Sequence, residues 1–261
     1  MQASVFLATA LAVLLAVVSL WVVSVRIKDA SIVDIFWGLG FVLIAWVTRF
    51  VADGDGVRQN VLVLCTTLWG VRLGAYLFWR NHGKGEDYRY RAMRKKHGDR
   101  FPIVSLRTVY LTQGLLMWIV SMPLQLGQMK TSPTGLGVVG IIGIAFWAVG
   151  LAFESIGDWQ LARFKADPAS AGKVMDRGLW SWTRHPNYFG DVCVWWGLFL
   201  IAVRPGGFTI AAIIGPIVMT GLLLKVSGVP MLERTIGRRR PGYTEYIART
   251  SSFFPRPPKR S

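Results

Sequence analysis

Apolar runs of bilayer-crossing length recur along this chain, separated by short polar or basic gaps. Seven can be drawn, roughly at 3–25, 31–50, 59–80, 107–127, 135–160, 187–203 and 208–225. A helix needs about 20 mostly apolar residues to cross the hydrocarbon layer. Within lipid, only helices and closed barrels satisfy their own backbone hydrogen bonds. The runs are continuous rather than alternating, so the pattern predicts an all-α, polytopic membrane protein with about seven transmembrane helices. The first run has no basic residue before it and exceeds the core length of a signal peptide, so it reads as a retained helix.

Charge adds an orientation. The net charge of +16 would suit a nucleic-acid binder, but the Lys and Arg lie between the apolar runs, where cytoplasmic loops and anionic headgroups explain them better. Nine basic residues fall within 80–107, five within 161–186 and nine from Lys225 onward, whereas the intervening loops offer only Lys130 and Arg204. With an odd number of spans, this asymmetry puts the N-terminus outside and the C-terminus in the cytosol. Cys65 and Cys193 both fall inside spans, which argues against a disulfide or a cysteine metal site. There is no Walker loop, no Gly-x-Ser-x-Gly elbow and no metal-ligand spacing of His and acids.

The stretch from Asp176 to Asp191, Asp-Arg-Gly-Leu-Trp-Ser-Trp-Thr-Arg-His-Pro-Asn-Tyr-Phe-Gly-Asp, is the most informative. Proline is favoured at a first helical position because its missing N–H would be unpaired there anyway. Pro186 therefore reads as N1 of a helix with His185 as its cap. The free N–H groups of that end, next to Arg177 and Arg184, suit a phosphate. Asn187 and Asp191 share a helical face, with Tyr188 beside them. An aromatic, basic membrane anchor is the alternative reading of the same residues.

Other ionisable residues sit at membrane depth. Asp34 opens the second run, as an interfacial cap or as a functional acid. Arg72 lies mid-span and needs a partner, which Asp34 or a substrate could provide. Glu154 and Asp158 share one face of the fifth run and either accept bonds from a ligand's ribose or amide or pair with Arg163 and Lys165. Tyr243 and Tyr246 form an aromatic face beside the basic run Arg238 to Arg240, suited to a nucleotide or to headgroups.

From about Phe153 onward the sequence resembles the C-terminal domain of steroid 5-alpha reductases, in the bacterial branch once grouped as a domain of unknown function. The resemblance is carried by Glu154-Ser-Ile-Gly-Asp158, Gly178 to Asp191, Trp195-Trp196-Gly197, Ser227-Gly-Val-Pro230, Arg240-Pro-Gly-Tyr243 and Phe254-Pro255. Asp34 and Asp87-Tyr-Arg-Tyr90 extend it toward the N-terminus. It implies an NADPH-dependent reductase that passes a hydride to an activated C=C bond of a lipid such as a steroid, an isoprenoid or a fatty acyl chain. By position, Asp158, Arg184, Asn187, Tyr188 and Asp191 would contact NADPH, joined by Glu154, Lys165, His185, Tyr243 and Tyr246. Steroid-reducing members use a Tyr on the third helix and a Glu on the second to polarise the ketone and supply the proton. Trp69 stands where that Tyr is expected, and a Trp N–H cannot deliver a proton. Tyr76 and Asp34 are the available substitutes.

The resemblance implies one membrane domain over 1–261, with helices of 1–127 on the lipid-substrate side and the cofactor region at 150–261. It implies a bacterial inner membrane with the cofactor site facing the cytosol. Two other functions are open. An Arg-His-Pro-x-Tyr motif with an acidic, tyrosine-containing tail also marks isoprenylcysteine and phospholipid methyltransferases, which use S-adenosylmethionine. A non-catalytic lipid-binding protein is the third class. The lipid partner and the oligomeric state are not legible.

Overall fold

The computed structural model describes residues 2–131, 134–204, 208–226, 228, 233 and 241–258. They are helical throughout, apart from turns and an extended tail. The chain folds as two compact units: Met1–Gly140 with Ile201–Gly215, and Ile141–Leu200 with Pro216–Ser261.

Among the described residues, six helical segments are long and apolar enough to cross a membrane. They are α1 (Gln2–Ile27), α2 (Ile32–Val51), α3 (Gly56–Asn81), the run Tyr88–Gly127, the helix Gly137–Ala166 and the run Phe208–Val226. The remaining expected span, 187–203, forms a helix over Pro186–Ala202, and its 17 residues stand at the lower edge of spanning length. The odd count used to orient the chain thus depends on this short helix crossing.

The run Tyr88–Gly127 is punctuated. α4 (Tyr88–His97) is capped by Asp87, whose carboxylate accepts from Arg89 N–H at 2.9 Å, and it ends at Gly98 with φ 51°. α5 (Phe101–Ser105) passes through a wide π turn, Leu106–Leu111, into α6 (Thr112–Val120). Pro123 at the start of α7 (Met122–Gly127) cannot supply a helical N–H, and the break falls just before it, at Ser121. In the first unit, a Cβ on Gly38 would lie 2.6 Å from Gly70 O, and one on Gly70 would lie 2.5 Å from Gly38 O. The backbones of α2 and α3 touch at that crossing, as small residues permit in membrane bundles. Trp69 and Phe41 fill the adjoining core, with ring centroids 5.8 Å apart.

This unit also buries two guanidinium groups. Arg204, expected in a solvated turn, is 2% exposed and pairs with Asp55 at 3.1 Å. Arg58 is 3% exposed and donates to the carbonyls of Gly135 at 2.7 Å and Leu136 at 3.1 Å, and also to that of Ile201. The charge gained by counting Arg204 as a loop cation is therefore a packing charge, neutralised inside the protein.

The second unit is built on α8 (Gly137–Ala166) and, after the short α9 (Leu179–Trp182), α10 (Pro186–Ala202). Gly143, Gly150 and Gly157 recur every seven residues on α8, and Gly190 and Gly197 do so on α10. A Cβ on Gly150 would meet Gly190 O at 2.5 Å, one on Gly197 would meet Gly143 O at 2.7 Å, and one on Gly157 would meet Pro186 at 3.1 Å. The order of these meetings makes the two helices antiparallel, in backbone contact along one seam. α11 (Ile214–Gly221) follows, and Trp196 Nε1 donates to Thr220 Oγ1 at 3.3 Å.

Gly190→Val should press a side chain onto Gly150 O and Glu154 N, backbone atoms that cannot rotate away, and cost about 1–3 kcal/mol. Gly221→Ala meets open space and should be neutral or slightly stabilising. Melting in detergent checks both; equal melting temperatures would contradict the seam.

Candidate functional site

The site is built where α10 begins. Helix α10 starts at Pro186, and Phe189 N–H donates to His185 O at 3.0 Å, the first bond of the helix and the mark of His185 as its cap residue. The segment Trp182-Thr183-Arg184 before it, extended from Thr183, is pinned to the C-terminal tail. Arg184 N–H donates to Ser251 O at 2.9 Å, Arg256 N–H to Trp182 O at 3.0 Å, and Thr183 Oγ1 to Phe253 O at 2.7 Å. Phe189 packs between Phe153, Phe253 and Phe254. The tail is thus structural here, and it fixes the direction of Arg184.

Arg184 is 9% exposed and its Nε lies 2.9 Å from Glu233 Oε1. His185 Nε2 lies 3.0 Å from the same oxygen. A carboxylate only accepts, so Nε2 carries the hydrogen of that bond. The His185 ring stacks on Tyr188, with centroids 5.5 Å apart and planes within 9°. The bond from His185, aided by the Arg184 charge and opposed by burial, holds the Glu233 carboxyl below the usual carboxylate range.

Asp158 and Glu154 are 4% and 3% exposed. They were expected near the end of the fifth span, but α8 continues to Ala166, so Asp158 lies about two turns inside the helix. Asn187 Nδ2 approaches Asp158 Oδ1 at 3.4 Å, and Asn187 Oδ1 accepts from Tyr188 N–H at 3.1 Å. The structure therefore brings together Arg184, His185 and Tyr188, and separately joins Asn187 to Asp158. Asp191 follows one turn along α10, half-buried. Arg163, placed by the sequence in a loop, lies on α8 with its guanidinium 5.2 Å from the centre of the Trp159 ring, while Lys165 is exposed.

Tyr243 and Tyr246 lie on α12 (Tyr243–Arg249), rings 5.8 Å apart and both buried. Tyr246 OH donates to Trp180 O at 2.6 Å, and Arg184 reaches Ile247 O at 3.4 Å. Burial raises both phenols above their ordinary range. The neighbouring Arg238 to Arg240 run, Ser227 and Val229-Pro230 lie outside the described residues. Sequence reasoning missed Glu233, and its signal was that it is one of only two acids in a basic tail. It also missed Gln160, whose Oε1 accepts from Leu179 N–H at 3.0 Å.

In the first unit Asp34 does not cap α2. The cap residue is Ser31, with no side-chain cap bond. Both Asp34 oxygens are engaged, one by Arg89 at 2.7 Å and the other by Tyr90 OH at 2.7 Å. Ser31 Oγ accepts from Asp87 N–H at 2.6 Å, while Glu86 accepts from Ala30 N–H at 2.9 Å and pairs with Arg94 at 2.7 Å. Burial raises the Glu86 carboxyl, and the bonds from Arg94 and Ala30 outweigh it, leaving a net downward shift. Asp34 thereby fastens α4 to α2. Tyr76 lies between two cations, Arg72 and Arg80, whose guanidinium carbons are 5.4 and 5.6 Å from its ring centre.

A family model described as "Protein of unknown function (DUF1295)" matches residues 20–250, most of both units. The chain belongs to the DUF1295 family. A relative, an uncharacterized protein of Schizosaccharomyces pombe, is 24% identical over 268 residues, which cover 91% of this chain and 76% of the yeast protein. No solved structure matches. This DUF1295 chain is an integral membrane protein with six apolar helices of spanning length among its described residues.

Glu233→Gln should loosen the start of α10 by about 1–3 kcal/mol, because Arg184 loses its charged partner. The sign with pH follows from the downward shift. The contribution of Glu233 is complete above the carboxylate's unfolded range and is lost as pH falls through the lower folded value. Melting curves of the wild type and Glu233→Gln should converge in acid; a constant gap at all pH values would contradict the pairing.

Proposed function

We propose that this protein is a membrane-embedded, NADPH-dependent reductase acting on an activated C=C bond of a lipid. The observation that carries the reading is the buried pair Arg184 and His185 at the start of α10, meeting an oxyanion on Glu233. Side chains that accept a carboxylate in this way have the donors and the charge for a phosphate oxygen, and Arg binds either in a two-pronged fashion. The helix start adds free N–H groups. NADPH supplies the hydride when bound. Arg184 and His185 would hold its phosphate groups, displacing Glu233, and Asn187 with Asp158 would meet an amide or ribose hydroxyl. Tyr188, Asp191, Glu154, Tyr243, Tyr246 and Lys165 complete the assignment by resemblance. The proton donor is assigned to Tyr76 in preference to Asp34, since Asp34 is occupied by Arg89 and Tyr90. We assign the cofactor site to the cytosolic side and take α10 as crossing, in keeping with the charge asymmetry.

One observation favours a second reading. An acid and two tyrosines of the tail gather around the Arg-His-Pro segment, as the methyltransferase pattern requires. S-adenosylmethionine, however, brings one carboxylate and a sulfonium cation, and a buried guanidinium beside an imidazole N–H donor suits a dinucleotide's phosphates better.

Thermal shift in detergent with NADPH, NADH and S-adenosylmethionine separates them. NADPH at about 100 times its dissociation constant should add about 2.7 kcal/mol, several degrees in melting temperature. Asn187→Ala and Arg184→Gln should lose most of that gain, and Tyr76→Phe should keep it. Stabilisation by S-adenosylmethionine but not NADPH would sink the reductase reading.

A further inference from the structure

Helix α4 turns one side to the protein and the other away from it. Tyr90 is buried, and Arg89, Met93, Arg94 and His97 are half-buried, whereas Tyr88, Arg91, Ala92, Lys95 and Lys96 are exposed. At about 100° per residue, these two sets fall on opposite sides of one helix. The inward side is fastened by Arg89 and Tyr90 on Asp34, by Arg94 on Glu86 at 2.7 Å and by the Arg94 guanidinium 4.2 Å from the centre of the Phe101 ring.

The same fastenings set the depth of α4. Asp87 N–H, at its cap, donates to Ser31 Oγ at 2.6 Å, and Ser31 is the cap residue of α2. Arg89 meets Asp34 in the first turn of that span. Helix α4 therefore lies within a side chain's reach of the point where α2 leaves the hydrocarbon, and the headgroup layer reaches about 5–8 Å beyond that point. Trp79 near the end of α3 is 64% exposed and Tyr88 is 58% exposed. Trp and Tyr are the aromatics that gather at headgroup level.

Charge then selects among headgroups. Residues 80–107 hold nine bases against three acids, with every acid counted as charged. Glu86 and Asp87 precede the helix and Asp99 follows it, so the outward side of α4 carries three cations, a phenol and no carboxylate. In open water such a face needs no partner. Held at headgroup depth between two spans, it is met by lipid whatever the lipid's charge, and its cations favour anionic species.

We propose that the outward face of α4 docks anionic phospholipid headgroups of the surrounding leaflet, with Arg91, Lys95 and Lys96 on phosphate oxygens and Tyr88 among the headgroups. Guanidinium and ammonium groups give charge-assisted hydrogen bonds to phosphate. This surface is independent of the reaction assigned to the second unit.

The test uses the full chain in neutral detergent mixed with equal amounts of phosphatidylglycerol and phosphatidylcholine bearing the same acyl chains. The protein is recovered by affinity capture, and the two retained lipids are quantified. The wild type should retain phosphatidylglycerol in about threefold or greater excess, and about 0.5 M salt should remove most of that excess, because salt screens exposed charges. Arg91→Gln/Lys95→Gln/Lys96→Gln should lose at least half of the excess. Arg163→Gln/Lys225→Gln/Arg256→Gln, which removes equal charge from exposed positions of the second unit, should keep it. All six side chains are exposed, so unchanged melting temperatures verify that both variants fold. Equal retention of the two lipids by the wild type would overturn the proposal, with or without folded variants. Equal losses in the two triple variants would also overturn it, by assigning the preference to net charge alone. If the wild type shows no lipid preference yet binds soluble polyaspartate through the same three residues, the face serves a soluble partner and the proposal falls.

Discussion

Placing a charge in hydrocarbon costs about 2.5–3.5 kcal/mol on insertion scales, and more when no partner or water can follow it. Both units are arranged around that cost. Asp34 enters the first unit with Arg89 and Tyr90 already on its oxygens, Glu86 meets Arg94, Asp55 meets Arg204, and Arg58 rests on backbone carbonyls. In the second unit Arg184 and His185 share Glu233. Three of these pairs, Asp34 with Arg89, Asp55 with Arg204 and Glu233 with Arg184, tie sequence-distant segments together.

The second constraint is close approach. Without water to drive helices together, contact in lipid depends on packing, and glycine lets backbones touch. The pair Gly38 and Gly70 does this in the first unit; the seven-residue series on α8 and α10 does it in the second. That seam has a chemical consequence. Gly157 lies against Pro186, so the helix start carrying Arg184, His185 and Asn187 is set beside the turn of α8 that carries Asp158. The bond from Asn187 to Asp158 follows from backbone contact rather than from the reach of long side chains.

Several elements were legible before any coordinates. Pro186 marked the start of α10 because proline has no N–H to lose there, and the apolar runs marked the helices because hydrocarbon admits little else. Other readings went astray for one reason: a side chain's partner is invisible in a linear string. Asp34 resembled a cap or an acid, and the structure spends it on Arg89, 55 positions away. Arg204 resembled a loop cation, and its partner Asp55 lies 149 positions away. Glu233 sits in a basic tail, yet it meets both Arg184 and His185 at the α10 start.

The sequence by itself determined the class of this protein. Run length, charge asymmetry and helix-start chemistry are local properties, set by hydrophobicity and backbone geometry over a few turns, and they suffice for an all-α membrane protein with an anion-friendly helix start. Only the tertiary structure decided which charges are functional candidates and which are fasteners. Electrostatic and hydrogen-bond partners are chosen by distance in space, so the same Arg or Asp acquires its role only after the helices have packed. The Arg184 to Asp191 segment thus finds its partners in Glu233 and Asp158, and Asp34 finds its own in Arg89 and Tyr90.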